Sequence, residues 1–303
     1  MKRSAWDNLP WSTSAILLLS TNLMIGTNQP NLPSSPTEPR RELRRGEAVI
    51  WYLDRSGFAV KTGNRFLIFD YYNTIPGRKD GPLSLDNGVI NPSEIGDMEV
   101  YAFISHEHSD HFRREIFEEL QNRLKKIRWV VTEEVYDLIR IETGRLDNIT
   151  VIKPNEIMRL GDFQIQALRS TDRGVAYLLM IDSLSIYHGG DHAWWGWTRQ
   201  AGTKEEREFK AELDKLKANP IDVAFLTVDP KLREIDYAGA LYFVRTFRPK
   251  AVFPMHRLGE HFSESISFHQ AVLELNLGVK PAKIMRRGQR FFFSEGMLKS
   301  ENQ

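Results

Sequence analysis

The run Ser105-His-Glu-His-Ser-Asp-His111 gathers three of the chain's eight histidines and an aspartate into one short segment, directly behind the apolar stretch Val100-Tyr-Ala-Phe-Ile104. That stretch predicts a buried strand, and a strand that empties into imidazoles and carboxylates builds a polar cluster that is costly to bury without a cation. Alternate residues of an extended chain project the same way, so His106 and His108 can share one ion. Ser109 predicts an N-cap, which puts Asp110 and His111 in a first helical turn, facing a second ion. Imidazole and carboxylate donors suit Zn first, then Mn or Fe. The chain has no cysteine, so a metal must rest on His, Asp or Glu, and disulfides and cysteine nucleophiles are excluded.

At 303 residues and 41% hydrophobic, the chain can bury a large core. Strands are predicted over Ala48 to Leu53, Phe58 to Lys61, Phe66 to Phe69, Val100 to Ile104 and Trp129 to Thr132, with helices over Phe112 to Lys126 and Glu133 to Glu142. Further strands follow at Ile149 to Ile152, Phe163 to Leu168, Ala176 to Ile181 and Leu184 to His188, then a charged helix from Glu205 to Lys217. Ile221 to Leu226, the helix Tyr237 to Thr246 and Ala251 to Pro254 form a strand-helix-strand unit. A helix over His261 to Leu277 and strands at Lys283 to Arg286 and Phe291 to Phe293 complete the pattern. Periodicity alone supports α/β or α+β.

Residues 1–45 differ from this pattern. Asn28 to Pro39 reads as a linker, and Ala15 to Leu19 with Leu23 to Ile25, behind Lys2 and Arg3, resembles a weak signal core. The apolar run is too short for a stable membrane span. We expect an extension that is disordered or signal-like, followed by one domain over residues 46–298. The expected location is cytoplasmic, with secretion or a periplasmic address as the alternative. A net charge of +1 makes no electrostatic case for nucleic acid as a partner. The sequence does not address oligomeric state.

The histidine loop resembles the signature of the metallo-β-lactamase-fold superfamily, and other stretches resemble the same family in the same order. Trp51 to Val60 with Phe66 to Tyr72 resembles its opening hairpin, with Asp70 ending the strand. His188-Gly-Gly-Asp191 resembles the turn whose carboxylate bridges two metals, and Val252-Phe-Pro-Met-His256 the strand end that carries the last His ligand. The resemblance spans Glu47 to Phe293 and is closest to ascorbate-6-phosphate-lactonase-like bacterial members, through the segments Ser170 to Val175 and Gly190 to Trp197. It implies a four-layer αββα sandwich.

The resemblance also implies a ligand set. One metal falls to His106, His108 and a third His near residue 170; the other falls to Asp110, His111 and His256, with Asp191 bridging. The third His is missing, because that segment reads Leu168-Arg-Ser-Thr-Asp-Arg-Gly174. Asp172 is the leading substitute, ahead of Ser170 and Thr171, and an oxygen ligand shifts preference toward Mn or Fe. The alternatives are a single ion on Asp110, His111, Asp191 and His256, a contribution from His192, or no metal; Ser170 to Asp172 also reads as a plain turn.

The implied function is a metal-dependent hydrolase that uses a metal-activated water on a small ester, lactone or phosphoester. Asp110 is a candidate catalytic residue, as ligand or as the group that orients the nucleophile, and His192 a candidate for proton transfer. His188 is expected to orient Asp191, Asp229 to approach the site, and Trp194 to Trp197 to form either an aromatic wall or core. The rivals are a nuclease or phosphodiesterase, an oxidoreductase, and a non-catalytic or mononuclear metal-binding module.

Overall fold

Apolar runs and alternating segments sort into two sheets. The computed structural model describes residues 42–72, 83–143, 147–196, 202–216, 218–235, 237–258 and 260–301. The first sheet begins with β1 (Ala48–Asp54), β2 (Gly57–Lys61), β3 (Arg65–Phe69), β4 (Glu99–Ile104), β5 (Ile127–Val131) and β6 (Ile149–Val151). The second holds β7 (Ile157–Leu160), β8 (Phe163–Arg169), β9 (Val175–Ile181), β10 (Leu184–His188), β11 (Val223–Thr227), β12 (Ala251–Met255) and β13 (Lys280–Pro281). The chain then returns to the first sheet with β14 (Arg290–Ser294) and β15 (Met297–Ser300), giving the orders β15-β14-β1-β2-β3-β4-β5-β6 and β13-β12-β11-β10-β9-β8-β7.

Three apolar clusters define four layers. Between the sheets, inward residues of β1 to β4 such as Phe58, Phe69 and Phe103 meet Tyr177, Phe225 and Phe253 of the second sheet. On the outer face of the first sheet, α2 (Arg114–Arg123) and α3 (Glu133–Thr143) bury Ile116, Phe117, Leu120, Val135 and Ile139, after the single-turn α1 (Pro92–Ile95). On the outer face of the second, α4 (Lys204–Leu213), α5 (Ala238–Phe247) and α6 (Ser263–Glu274) bury Phe209, Leu213, Phe243, Val244 and Phe268. The protein is an αββα sandwich. Each helix buries one stripe at helical spacing, and each sheet buries both faces, which is why its strands read as long apolar runs.

Besides α1 and β13, which the sequence reading does not place, two features differ from it. Lys283 to Arg286 is not a strand; the side chain of Gln289 takes the Met285 N–H (2.7 Å), and Arg286 and Arg287 reach out to the carbonyls of Asp86 and Gly88 (2.8 Å each). Side-chain partners there replace a sheet ladder. The short, half-exposed β7 and β15 lack an apolar run and escape prediction. Of the predicted extension, residues 1–41 lie outside the described residues, while the Arg44 N–H donates to the Glu47 carboxylate at 2.9 Å. No described helix is long and apolar enough to cross a membrane.

Phe225 sits at the centre of the inter-sheet core, its ring centroid 4.3 Å from Phe58 and 5.2 Å from Phe253. Phe225→Ala is expected to lower unfolding free energy by about 3–5 kcal/mol, read by urea denaturation, because the surrounding rings cannot close the cavity.

Candidate metal centre

The donors stand at one edge of the sandwich because parallel pairing brings strand ends together. Strands β3 and β4 run parallel, as do β10, β11 and β12. Their carboxyl ends deliver Asp70, the Ser105–His111 loop, Asp191, Asp229 and His256. The β8–β9 turn adds Asp172. Asp70 (φ +38°) and His256 (φ +80°) leave their strands in the left-handed region, which costs a non-glycine residue of order 1–3 kcal/mol and turns the side chain sharply off the strand.

Asp70 organises the loop. Its Oδ1 accepts the Ser105 N–H and its Oδ2 the Ser105 hydroxyl, both at 2.7 Å, and Oδ2 also lies 2.7 Å from His111 Nδ1. The Ser105 hydroxyl lies 2.9 Å from His106 Nδ1 as well. The loop closes as an isolated turn, with the N–H groups of His111 and Phe112 donating to the His108 carbonyl at 2.9 and 2.8 Å. Ser109 therefore caps no helix: α2 starts only at Arg114, after the extended Arg113.

With Nδ1 committed to Asp70, His111 turns Nε2 toward Asp191, 3.1 Å from its Oδ1. Across from it, His256 is held by Asp229 (Nδ1 to Oδ2, 3.0 Å) and presents Nε2 3.4 Å from the same Asp191 oxygen. His106 Nε2 lies 3.3 Å from Asp191 Oδ2 and 3.0 Å from His108 Nδ1. The contacts are off-axis: His111 Nε2 and Asp191 Oδ1 are buried yet neither has a hydrogen-bond partner. Two buried lone-pair donors aimed past each other at a common point fit a cation, since leaving both unpaired is otherwise costly.

The seven expected ligands fall into three overlapping sets: His106, His111 and Asp191; Asp110, His111 and His256; His108, Asp172 and Asp191. Within each set the ligand atoms lie within 4.8 Å of one another. Asp172 thus stands where the missing histidine was expected. Its neighbours are otherwise engaged: the Thr171 hydroxyl donates to the Ala193 carbonyl (2.6 Å) and accepts its N–H (3.0 Å), while Ser170 Oγ accepts the Asp172 N–H (3.3 Å). The turn reading of Ser170 to Asp172 holds, and the turn aims Asp172. Gly174 (φ +64°) makes the approach possible, because a Cβ there would collide with the Ser105 carbonyl and the His106 side chain.

Other candidates are placed elsewhere. His192 stacks on Phe209 (centroids 4.8 Å apart) in a cavity lined by Tyr187, Trp194 and Phe243, not by the metal-site residues. Burial pulls its imidazole down to about 3, and its surroundings lie away from the metal-site residues. The residue after Asp191 simply points to the opposite side of the turn. His188 binds the Ser56 carbonyl (2.8 Å), stacks on Phe69 and accepts the Gly190 N–H (3.3 Å), so it shapes the turn's backbone rather than the Asp191 carboxylate. Trp195 is the wall residue: its Nε1 donates to the Asp191 carbonyl (2.8 Å) and its ring meets His256 edge-on. Trp194 belongs to the helix-side core, and Trp197 lies outside the described residues. The orienting roles of Asp70 and Ser105 were not anticipated.

Electrostatically the cluster is a balance of charges. Burial works against a charged His111, but the Asp70 and Asp191 carboxylates outweigh it and push its imidazole up to about 10. Burial likewise opposes the charged carboxylates, yet facing His111 holds both Asp70 and Asp191 below the usual range. Without a metal, a proton on His111 is the charge that neutralises this acidic pocket.

A family model for the beta-lactamase superfamily domain matches residues 49–256, more than half of the chain. The chain belongs to the metallo-β-lactamase-fold superfamily. Solved structures agree on the fold. Igni18, a metallo hydrolase from the archaeon Ignicoccus hospitalis, superposes with TM-score 0.60 at 18% identity over 82% of this chain and 99% of its own. The metallo-β-lactamase-fold protein YhfI from Bacillus subtilis gives 0.53 at 11% identity over 82% of this chain and 100% of its own. CmlA, a diiron β-hydroxylase from Streptomyces venezuelae, gives 0.55 at 13% identity over 84% of this chain and 55% of its own. No curated protein matches the sequence. For this superfamily member the Asp172 turn is the point of departure from the three-histidine pattern.

The raised His111 implies a sign for pH dependence. In the metal-free protein the stabilisation from its charged form is complete below about 6.5, the ordinary value, and is lost as pH rises through about 10. The metal-free melting temperature should fall over that window, and a divalent ion, which displaces the proton, should abolish the decline. A flat metal-free profile from pH 7 upward would contradict the pairing of His111 with Asp70 and Asp191.

Proposed function

We propose that this protein is a metal-dependent hydrolase acting on a small ester, lactone or phosphoester. The reading rests on one observation: Asp191 Oδ1 and His111 Nε2, both buried and both without hydrogen-bond partners, face a centre that His256 also borders. His106, His108, Asp110, His111, Asp172, Asp191 and His256 are the residues that would hold one or two divalent ions, with Asp191 between the sets. When bound, a divalent ion supplies an acidified water and polarises a substrate oxygen.

The remaining roles fall to the chain itself. Asp70 and Asp229 fix the ring orientation of His111 and His256 by engaging Nδ1, which leaves Nε2 of each ring to face the centre. Asp110, in the same set as His111 and His256, is our candidate acid-base group for orienting the nucleophile. Trp195 shields the His256 side from solvent. The mixed His and carboxylate donors suit Zn, Mn or Fe.

Elemental analysis of the full chain purified without chelator, alongside a hydrolysis panel, tests this. The wild type should carry Zn, Mn or Fe, Asp191→Ala should lose most of it, and Asp172→Ala should lose about one ion per chain, because Asp172 completes the set with His108 and Asp191. Asp229→Ala, which frees His256 to rotate, should weaken metal binding by about 10–100-fold. Protein that carries none of these metals, and gains no hydrolytic activity when they are supplied, would return the chain to a non-catalytic binding role.

A further inference from the structure

Four arginines, Arg55, Arg113, Arg173 and Arg257, sit on or next to the segments that carry the centre, although the chain as a whole carries a net charge of only +1. Tyr72 stands two residues beyond Asp70, and two guanidinium groups converge on its ring: Arg55, with Cζ 5.9 Å from the ring centroid, and Arg113, at 5.7 Å. Both are tied to the metal-site backbone. Arg55 occupies the β1–β2 turn in the left-handed region (φ +52°), and its carbonyl accepts the His256 N–H at 3.2 Å. Arg113 follows the histidine loop, two residues after His111. Two more arginines are the direct neighbours of expected ligands, Arg173 after Asp172 and Arg257 after His256, and their side chains are 61% and 53% exposed.

Among the described residues little answers this charge: Arg55 forms no ion pair there, and Arg113 meets only Glu115 at 3.7 Å, a side chain 75% exposed whose pairing solvent screens. The nearest carboxylate to Arg173 is Glu107 at 3.6 Å, and Arg257 stands 4.0 Å from an Asp229 already shared with His256. Two guanidinium groups gathered on one aromatic ring concentrate positive charge that an anion would complement. Guanidinium groups recognise phosphoryl and carboxylate oxygens through paired donors, and a tyrosine face holds them in place at low entropic cost.

We propose that Arg55 and Arg113, carried on Tyr72, form an anion-binding lip that selects substrates bearing a phosphate or carboxylate group over neutral esters and lactones. This rests on the hydrolase reading for its consequence in turnover, but the lip itself binds anions without it. Arg173 and Arg257 add charge to the approach and supply steering rather than a fixed contact.

Two measurements on the full chain separate the two readings. In equilibrium dialysis with inorganic phosphate and chelator-treated protein, Arg55→Gln and Arg113→Gln should each weaken binding by about tenfold, and the double variant more, with thermal melts confirming that the variants fold. Wild-type protein that does not bind phosphate, or folded variants that bind it as the wild type does, would overturn the lip whatever the catalytic result. In the metal-loaded protein, the ratio of kcat/KM for 4-nitrophenyl hemisuccinate to that for 4-nitrophenyl butyrate should fall by about tenfold in either variant. The same ratio for bis(4-nitrophenyl) phosphate over the butyrate ester tells a phosphoryl handle from a carboxylate one. An unchanged ratio with metal-dependent hydrolysis present removes the lip and leaves the hydrolase; absent hydrolysis with intact phosphate binding does the reverse.

Discussion

The carboxylate of Asp70 is the interaction on which the site depends. Fully buried at the end of β3, it takes the backbone and side chain of Ser105 and one nitrogen of His111. That single group thereby sets where the histidine loop leaves β4 and which edge of the His111 ring faces Asp191. A neutral replacement loses more than one contact, because the loop's first donor, its hydroxyl and its innermost imidazole would all be left to find other partners in a dry interior. Asp229 plays the same part for His256 on the other sheet, so each sheet brings its own imidazole with its own carboxylate support.

Charge balance explains why such a site persists without collapsing. Asp70 and Asp191 flank His111, and a proton on its ring offsets part of their combined charge. The same turns carry the opposite sign in sequence: arginines sit in the β1–β2 turn, in the loop after His111 and next to Asp172 and His256. An acidic floor suited to a divalent ion and the proposed basic margin make complementary demands, and different residues of the same short turns meet them.

How much of this was legible in the sequence varies with how local each signal is. The histidine loop, Asp191 and His256 could be read because rare residue types sit directly after apolar strands, and strand ends are where parallel sheets expose side chains. Asp172 could be read because the turn that carries it follows a strand that periodicity finds. Asp70 could be placed at a strand end, but its role could not be found, since its partners lie 35 and 41 residues away and it is one of 40 acidic residues. His192 misled for the opposite reason: adjacency to Asp191 suggested a shared task, while a tight turn sends successive side chains to opposite sides. The pattern of apolar runs and amphipathic helices gave only an α/β or α+β class, and the four layers came from the resemblance of the site motifs; β7 and β15 escaped, because half-exposed edge strands lack the runs that mark buried ones.

The Thr171 hydroxyl, bonded in both directions to Ala193, staples the β8–β9 turn to the turn that carries Asp191. The backbone at position 172 is therefore held in register with the Asp191 turn independently of the side chain that happens to occupy it. Ligand chemistry and scaffold are decoupled here. A lineage, or an engineer, can exchange oxygen for nitrogen donors at this corner, and with them the preferred ion, without rebuilding the loop that delivers them.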